Sequence, residues 1–171
     1  MVSLDKTADA LVRSAKILII DDEHYTRKVI RTLLTTIGAR HIFEADDGFT
    51  GIEAIKTVAP DIVLLDWEMR GLDGPGVMRV VRSPETFCYP DVPVIMLTGF
   101  SEKSRVFEAI RLGIHEYLLK PVSTNALKAR ILAVLTNRRP MVRRGRYYGP
   151  EPRKGNPYKA ELDPTHTFFI N

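Results

Sequence analysis

The sequence has 171 residues, 44% of them apolar, which suffices for one ordinary domain and its core with length to spare. Its single cysteine, Cys88, excludes an intrachain disulfide and has no Cys or His cluster beside it, and no apolar run approaches the roughly 18 residues that span a bilayer, so a soluble protein of a reducing cytoplasm, without an export signal, is expected. The net charge of +4 belongs to the C-terminal part: from Arg138 onward eight Lys and Arg face three Asp and Glu, giving +5 there and −1 before it.

Residues 1–15 read as a polar lead. A first strand spans Ile17 to Ile20, after which Val29, Leu33 and Ile37 recur at four-residue spacing and Gly38 stands where a helix needs a left-handed stop. The second strand candidate is His41 to Ala45. A second helix, Gly51 to Ala59, repeats Ile52, Ile55 and Val58 before Pro60, and a third strand runs from Ile62 to Leu65. Asp73 can cap a third helix reaching about Arg82, and Val92 to Leu97 reads as a strand. Ser101 can cap a fourth helix that packs through Val106 and Ile110 and stops at Gly113. The last strand is Glu116 to Leu119, and a fifth helix starts near Ser123, packs through Leu127, Ile131, Val134 and Leu135, and is ended by Pro140. Short β-branched runs alternating with helices imply an α/β fold with a parallel sheet covered on both faces. The chain divides into residues 1–15, a domain over 16–138, and a basic tail over 139–171. The tail shows no helical or strand period and is expected to be extended or disordered. It is too short for a helix-turn-helix.

Ligands of an open parallel sheet bind beyond the carboxyl ends of its strands, so the strand ends belong together. They are Asp21-Asp22-Glu23, Asp66, Thr98-Gly99 and Lys120-Pro121. Crowded carboxylates need a cation, and all-oxygen ligands favour a hard one such as Mg²⁺. An aspartate beside such an ion can act as a nucleophile toward a phosphoryl group. Lys120 would then supply a point charge and Thr98 a hydrogen bond to the acyl phosphate.

In that order these residues resemble the CheY-like receiver domains of bacterial two-component response regulators, of the single-domain type. The stretches carrying the resemblance are Ile17-Leu18-Ile19-Ile20-Asp21-Asp22, Glu44-Ala45-Asp46-Asp47-Gly48, Leu64-Leu65-Asp66-Trp67-Glu68-Met69, Asp73-Gly74, Val94-Ile95-Met96-Leu97-Thr98-Gly99 and Tyr117-Leu118-Leu119-Lys120-Pro121. The resemblance implies a doubly wound, flavodoxin-like five-stranded sheet of order 2-1-3-4-5 and a phosphoacceptor at Asp66. It implies Mg²⁺ (or Mn²⁺) held by Asp21, Asp22, Asp66 and the backbone carbonyl of Glu68. It also implies a switch pair, Thr98 and Tyr117, a phosphate-sensing Lys120 with a cis bond to Pro121, and a small residue, Gly99, leaving room beside the acceptor. A histidine kinase or histidine phosphotransfer protein would donate the phosphoryl group. The face made by the fourth helix, fifth strand and fifth helix would pass the signal to a downstream protein or a second copy, without membrane insertion. Arg70 departs from the pattern, standing where a proline is usual, and is expected to loosen the loop after Asp66.

Two other functions compete. An aspartyl-phosphate phosphatase would use Asp66 with Glu68 as the acid two residues on. A nucleic-acid-binding regulator would act through Arg138, Arg139, Arg143, Arg144, Arg146 and the Tyr147-Tyr148 pair, but no recognition element accompanies that charge, and a solvated or protein-binding tail is preferred. His24, His41, His115 and His166 lack metal-ligand spacing.

Overall fold

Five strands, β1 (Lys16–Ile20), β2 (His41–Ala45), β3 (Ile62–Asp66), β4 (Val94–Thr98) and β5 (Glu116–Leu119), pair in parallel in the order β2-β1-β3-β4-β5 in a computed structural model that describes residues 2–154. The expected order is thus observed. Period-two alternation sends each strand's side chains to opposite faces. Leu18, Ile20, Val63, Leu65, Val94 and Met96 enter one core; Ile17, Ile19, Ile62, Leu64, Ile95 and Leu97 enter the other. All five residues of β3 and of β4 are buried, as central parallel strands require, whereas β2 is an edge strand with His41, Phe43 and Glu44 exposed.

The first core is closed by α3 (Gly48–Val58), α4 (Gly74–Val81) and α5 (Lys103–Arg111), through Ile52, Ile55, Val77, Met78, Val81 and Ala109. The second is closed by α1 (Val2–Ser14), α2 (His24–Thr36) and α6 (Thr124–Thr136), through Val12, Ile30, Leu34, Leu127, Ile131 and Val134. Asp73 and Ser123 cap their helices as the sequence suggests, each accepting a bond from the backbone N–H three residues on. The cap of α5 differs from expectation. It is Glu102, without a side-chain bond, and Ser101 lies one residue outside. Gly38 adopts φ +98, the left-handed stop expected after α2.

Two segments depart from the sequence reading. The polar lead is α1, which buries Val12, is followed by the buried Ala15, and pairs Asp9 with Lys128 of α6 at 3.0 Å; its apolar stripe is narrow but sufficient against a helix already in place. The tail expected to be extended or disordered forms a hairpin, β6 (Met141–Arg144) and β7 (Tyr147–Pro150), closed by Gly145 at φ +57 and Arg146; residues 155–171 lie outside those described.

Polar contacts bind the hairpin to the domain. Tyr148 donates to Asp91, Arg143 pairs with Glu85, and Arg153 pairs with the buried Glu116, while within the hairpin the buried Tyr147 donates its hydroxyl to Pro150 O. Arg139 donates to the carbonyls of His115 (2.6 Å) and Glu151 (3.0 Å). Gly113, at φ +82, admits this docking: a Cβ there would stand 2.4 Å from the Tyr148 carbonyl oxygen. Underneath, the guanidinium of Arg82 donates to the carbonyls of Gly113, Pro90 and Val92 at 2.9, 2.5 and 2.8 Å, tying the end of α4 to the segments that enter β4 and β5.

Candidate functional site

The carboxyl ends of β1, β3, β4 and β5 bring together residues as far apart in sequence as Asp21 and Lys120. Asp21, Asp22 and Asp66 each offer a carboxylate oxygen within 4.8 Å of the others. Asp21 is 1% exposed and Asp66 5% exposed, so both are held largely out of water. Lys120 reaches across the sheet to donate to Asp66 Oδ1 at 2.7 Å and to Asp21 Oδ2 at 3.2 Å. The rest of the shell is local: Asp21 Oδ1 accepts from the Glu23 N–H at 2.8 Å, and Arg27 donates to the Asp21 carbonyl at 2.7 Å.

Electrostatics follow from that burial. Loss of water pushes Asp66 up to about 6, and the neighbouring Asp21 charge adds to the rise while the Lys120 hydrogen bond and charge restrain it. Asp66 is therefore an anion at neutral pH, but a basic and poorly hydrated one, which suits a nucleophile. Burial works against the charged form of Lys120, yet its bond to Asp66 and the charges of Asp66 and Asp21 outweigh it and hold the amine above its ordinary value. The donor set, three carboxylates on one side of a lysine, fits a hard divalent cation, with Asp21, Asp22 and Asp66 as the side chains able to hold it.

Thr98 ends β4 at 1% exposure, and its Oγ1 accepts from the Phe100 N–H at 3.1 Å. Tyr117 donates its hydroxyl to the Phe100 carbonyl at 2.5 Å. Both members of the expected switch pair thus hold the same residue of the β4–α5 loop from opposite polar groups. A Cβ at Gly99 would meet nothing within 4 Å, and the Lys120–Pro121 bond is cis.

Two arginines stand at the mouth, one that the sequence reading missed and one whose effect it misjudged. Arg105 lies over the rings of Phe100 (5.0 Å) and Trp67 (5.5 Å), a position that no motif marks because its helix begins in an irregular loop. Arg70, expected to loosen the loop, ties it instead. Its N–H and its Nε both donate to Asp22 Oδ2, at 3.0 and 3.2 Å, and together they hold the Asp22 carboxyl below its ordinary range. A proline at 70 would have no N–H to offer. That donor was the available signal.

Three of the basic tail residues are engaged in ion pairs, Arg143 and Arg153 with Glu85 and Glu116 of the domain and Arg144 with Glu151 of the tail itself. Among the described residues no helix is long and apolar enough to cross a membrane.

Comparison with known proteins agrees with this geometry. The family model described as the response regulator receiver domain matches residues 17–132, leaving α1 and the hairpin outside it. The chemotaxis protein CheY-3 of Vibrio cholerae is 32% identical over 121 residues, covering 71% of this chain and 92% of that protein. The chemotaxis protein CheY of Pseudomonas aeruginosa is 34% identical over 116 residues, covering 68% and 92%. Among solved structures, the receiver domain of the Francisella response regulator 1452 superposes with a TM-score of 0.63 at 28% identity, covering 69% of this chain and 93% of that one. Vibrio cholerae CheY4 gives 0.64 at 25% identity, covering 71% and 98%.

Proposed function

The chain belongs to the response regulator receiver domain family, whose members work in two-component phosphorelays, and we propose that it takes a phosphoryl group on Asp66 from a histidine kinase or histidine phosphotransfer protein. The observation that carries this reading is the convergence of Asp66 with Asp21, Asp22 and the Lys120 ammonium, 2.7 Å from Asp66 Oδ1. Asp21, Asp22, Asp66 and the Glu68 carbonyl would hold Mg²⁺ (or Mn²⁺), which when bound would supply charge neutralisation for the transferring phosphoryl oxygens. An Asp66 oxygen attacks the phosphorus, the bond to the donor nitrogen or oxygen breaks, and the leaving group departs with its electron pair. Lys120 then pairs with a phosphoryl oxygen in place of the carboxylate oxygen it holds now. Thr98 turns its hydroxyl from the Phe100 N–H to the phosphate. Because Tyr117 holds the Phe100 carbonyl, that turn is felt at Tyr117, on the face formed by α5, β5 and α6.

This face carries the signal to a protein partner or a second copy of the chain, in the cytoplasm. The protein handles its own phosphoryl group and turns over no external substrate. Incubation with acetyl phosphate and, separately, with a phosphate monoester such as p-nitrophenyl phosphate tests the reading. The expected result is one phosphoryl group per chain from the first and no steady release of product from the second. Sustained hydrolysis of the monoester, abolished by Glu68→Gln, would make the protein a phosphatase instead.

A further inference from the structure

The three carboxylates of the site are neutralised by two cations of the protein itself. Lys120 serves Asp66 and Asp21, and Arg70 serves Asp22. The two are built differently. Lys120 is three-quarters covered and anchored between two buried carboxylates, whereas the Arg70 side chain is 92% exposed and holds Asp22 alone. Arg70 also brings a backbone N–H to the same oxygen, which a proline at this position would lack.

We propose that Arg70 is a positioning residue that competes with the divalent cation for Asp22, making the site one that exchanges an internal guanidinium for a metal ion. The inference rests on the reading of Asp21, Asp22 and Asp66 as the metal ligands. Two routes lead to the same antagonism. A cation that takes Asp22 Oδ2 must break both Arg70 bonds; one that takes Oδ1 leaves a guanidinium beside a dication, and like charges at such range repel. An exposed ion pair of this kind is worth up to about fivefold in an equilibrium constant, and the backbone bond adds to it. Wild-type affinity for Mg²⁺ is therefore expected to be several-fold weaker than the carboxylate set alone would give. The pair is exposed, so its effect is screened by salt, while the buried Lys120 contacts are screened much less.

The test is a Mg²⁺ titration of the full chain followed by the fluorescence of Trp67, which adjoins Asp66, with isothermal calorimetry as a second readout. The comparison set is wild type, Arg70→Met, which keeps the N–H, Arg70→Pro, which removes it, and Arg111→Met, a cation removed from the far end of α5. Arg70→Met is expected to tighten Mg²⁺ binding about two- to fivefold in dilute buffer, Arg70→Pro at least as much, and Arg111→Met hardly at all. The gap between wild type and Arg70→Met is expected to shrink as sodium chloride is raised. Equal affinities in wild type and Arg70→Met, with Asp22→Asn weakening both, would overturn the role of Arg70 and leave the metal site standing. A Mg²⁺ response unchanged by Asp22→Asn would overturn the metal-site reading itself, and this inference with it.

Discussion

Acidification offers a quantitative check on the packing beneath the hairpin, because His115 is held neutral there. Its Nδ1 accepts from the Val94 N–H at 3.4 Å and faces Arg82 Nη2 at 3.5 Å, so the ring proton sits on Nε2. Burial first, then the charges of Arg82 and Arg139, push its pKa from 6.5 down to about 3. Between those two values the unfolded chain binds a proton that the folded chain refuses, so stability rises with pH across this window and is lost as pH falls through it. At pH 4.5, two units below the unfolded value, the folded state is still largely neutral at His115, and two units of unfolded-state protonation correspond to a linkage cost of about 3 kcal/mol. The assay is urea denaturation at pH 7.5 and pH 4.5 of wild type and His115→Asn, whose amide oxygen can accept from Val94 without titrating. Asn costs packing, but equally at both pH values. Wild type is expected to lose about 3 kcal/mol more than the variant between the two conditions. Equal losses would refute the placement of a neutral imidazole between Val94 and Arg82.

Arg82→Met removes three charge-assisted bonds to carbonyls, each worth roughly 1.5–3 kcal/mol, and recovers the cost of burying the guanidinium. Burial pushes the Arg82 pKa from 12.5 down to about 10, so part of the worth of those bonds is offset; a net loss of roughly 3 kcal/mol is expected in urea melts, and an unchanged midpoint would contradict it. Ala59 caps α3 at φ +48, in the left-handed region, which costs a residue with a Cβ roughly 1–2 kcal/mol. Ala59→Gly is expected to stabilise by about 0.5–1 kcal/mol after the extra freedom of glycine in the unfolded chain is set against that relief; destabilisation would count against the backbone geometry. Mg²⁺ at ten times its Kd is expected to raise the unfolding free energy of wild type by about 1.4 kcal/mol. That increment disappears in Asp66→Asn if Asp66 is a ligand, and persists if the ion binds elsewhere.

The sheet was legible because β1, β3 and β4 are continuous apolar runs that only a doubly covered parallel sheet can bury, and the strand-end acids follow from that sheet by topology alone. Cap and stop residues were readable where a side chain or a positive φ does the work, as at Asp73, Ser123 and Gly38, and unreadable at α5, whose cap makes no side-chain bond. The N-terminal helix was hidden because Ala8, Leu11, Val12 and Ala15 form a stripe that means little until α6 is there to receive it. The hairpin was hidden by its arginines. Gly145-Arg146 between Met141-Val142 and Tyr147-Tyr148 has the form of a two-residue turn, but the basic residues suggested solvent rather than pairing with Glu85, Glu116 and Glu151. Arg82 gave no sign at all, since a buried guanidinium bound by three carbonyls depends on loops distant in sequence. At Arg70 the departure from the family pattern was visible, but its consequence was the reverse of the one expected, because an N–H gained at that position finds Asp22.

The central claim, that Asp66 is the phosphoacceptor of a metal-assisted transfer, is tested most directly by intact mass after incubation with acetyl phosphate. The measurement is made with Mg²⁺ and with chelator, on wild type and on Asp66→Asn. The expected result is a single phosphoryl adduct on wild type that requires Mg²⁺ and is absent from the variant. An adduct of equal yield on folded Asp66→Asn, or one indifferent to chelator, would contradict the account.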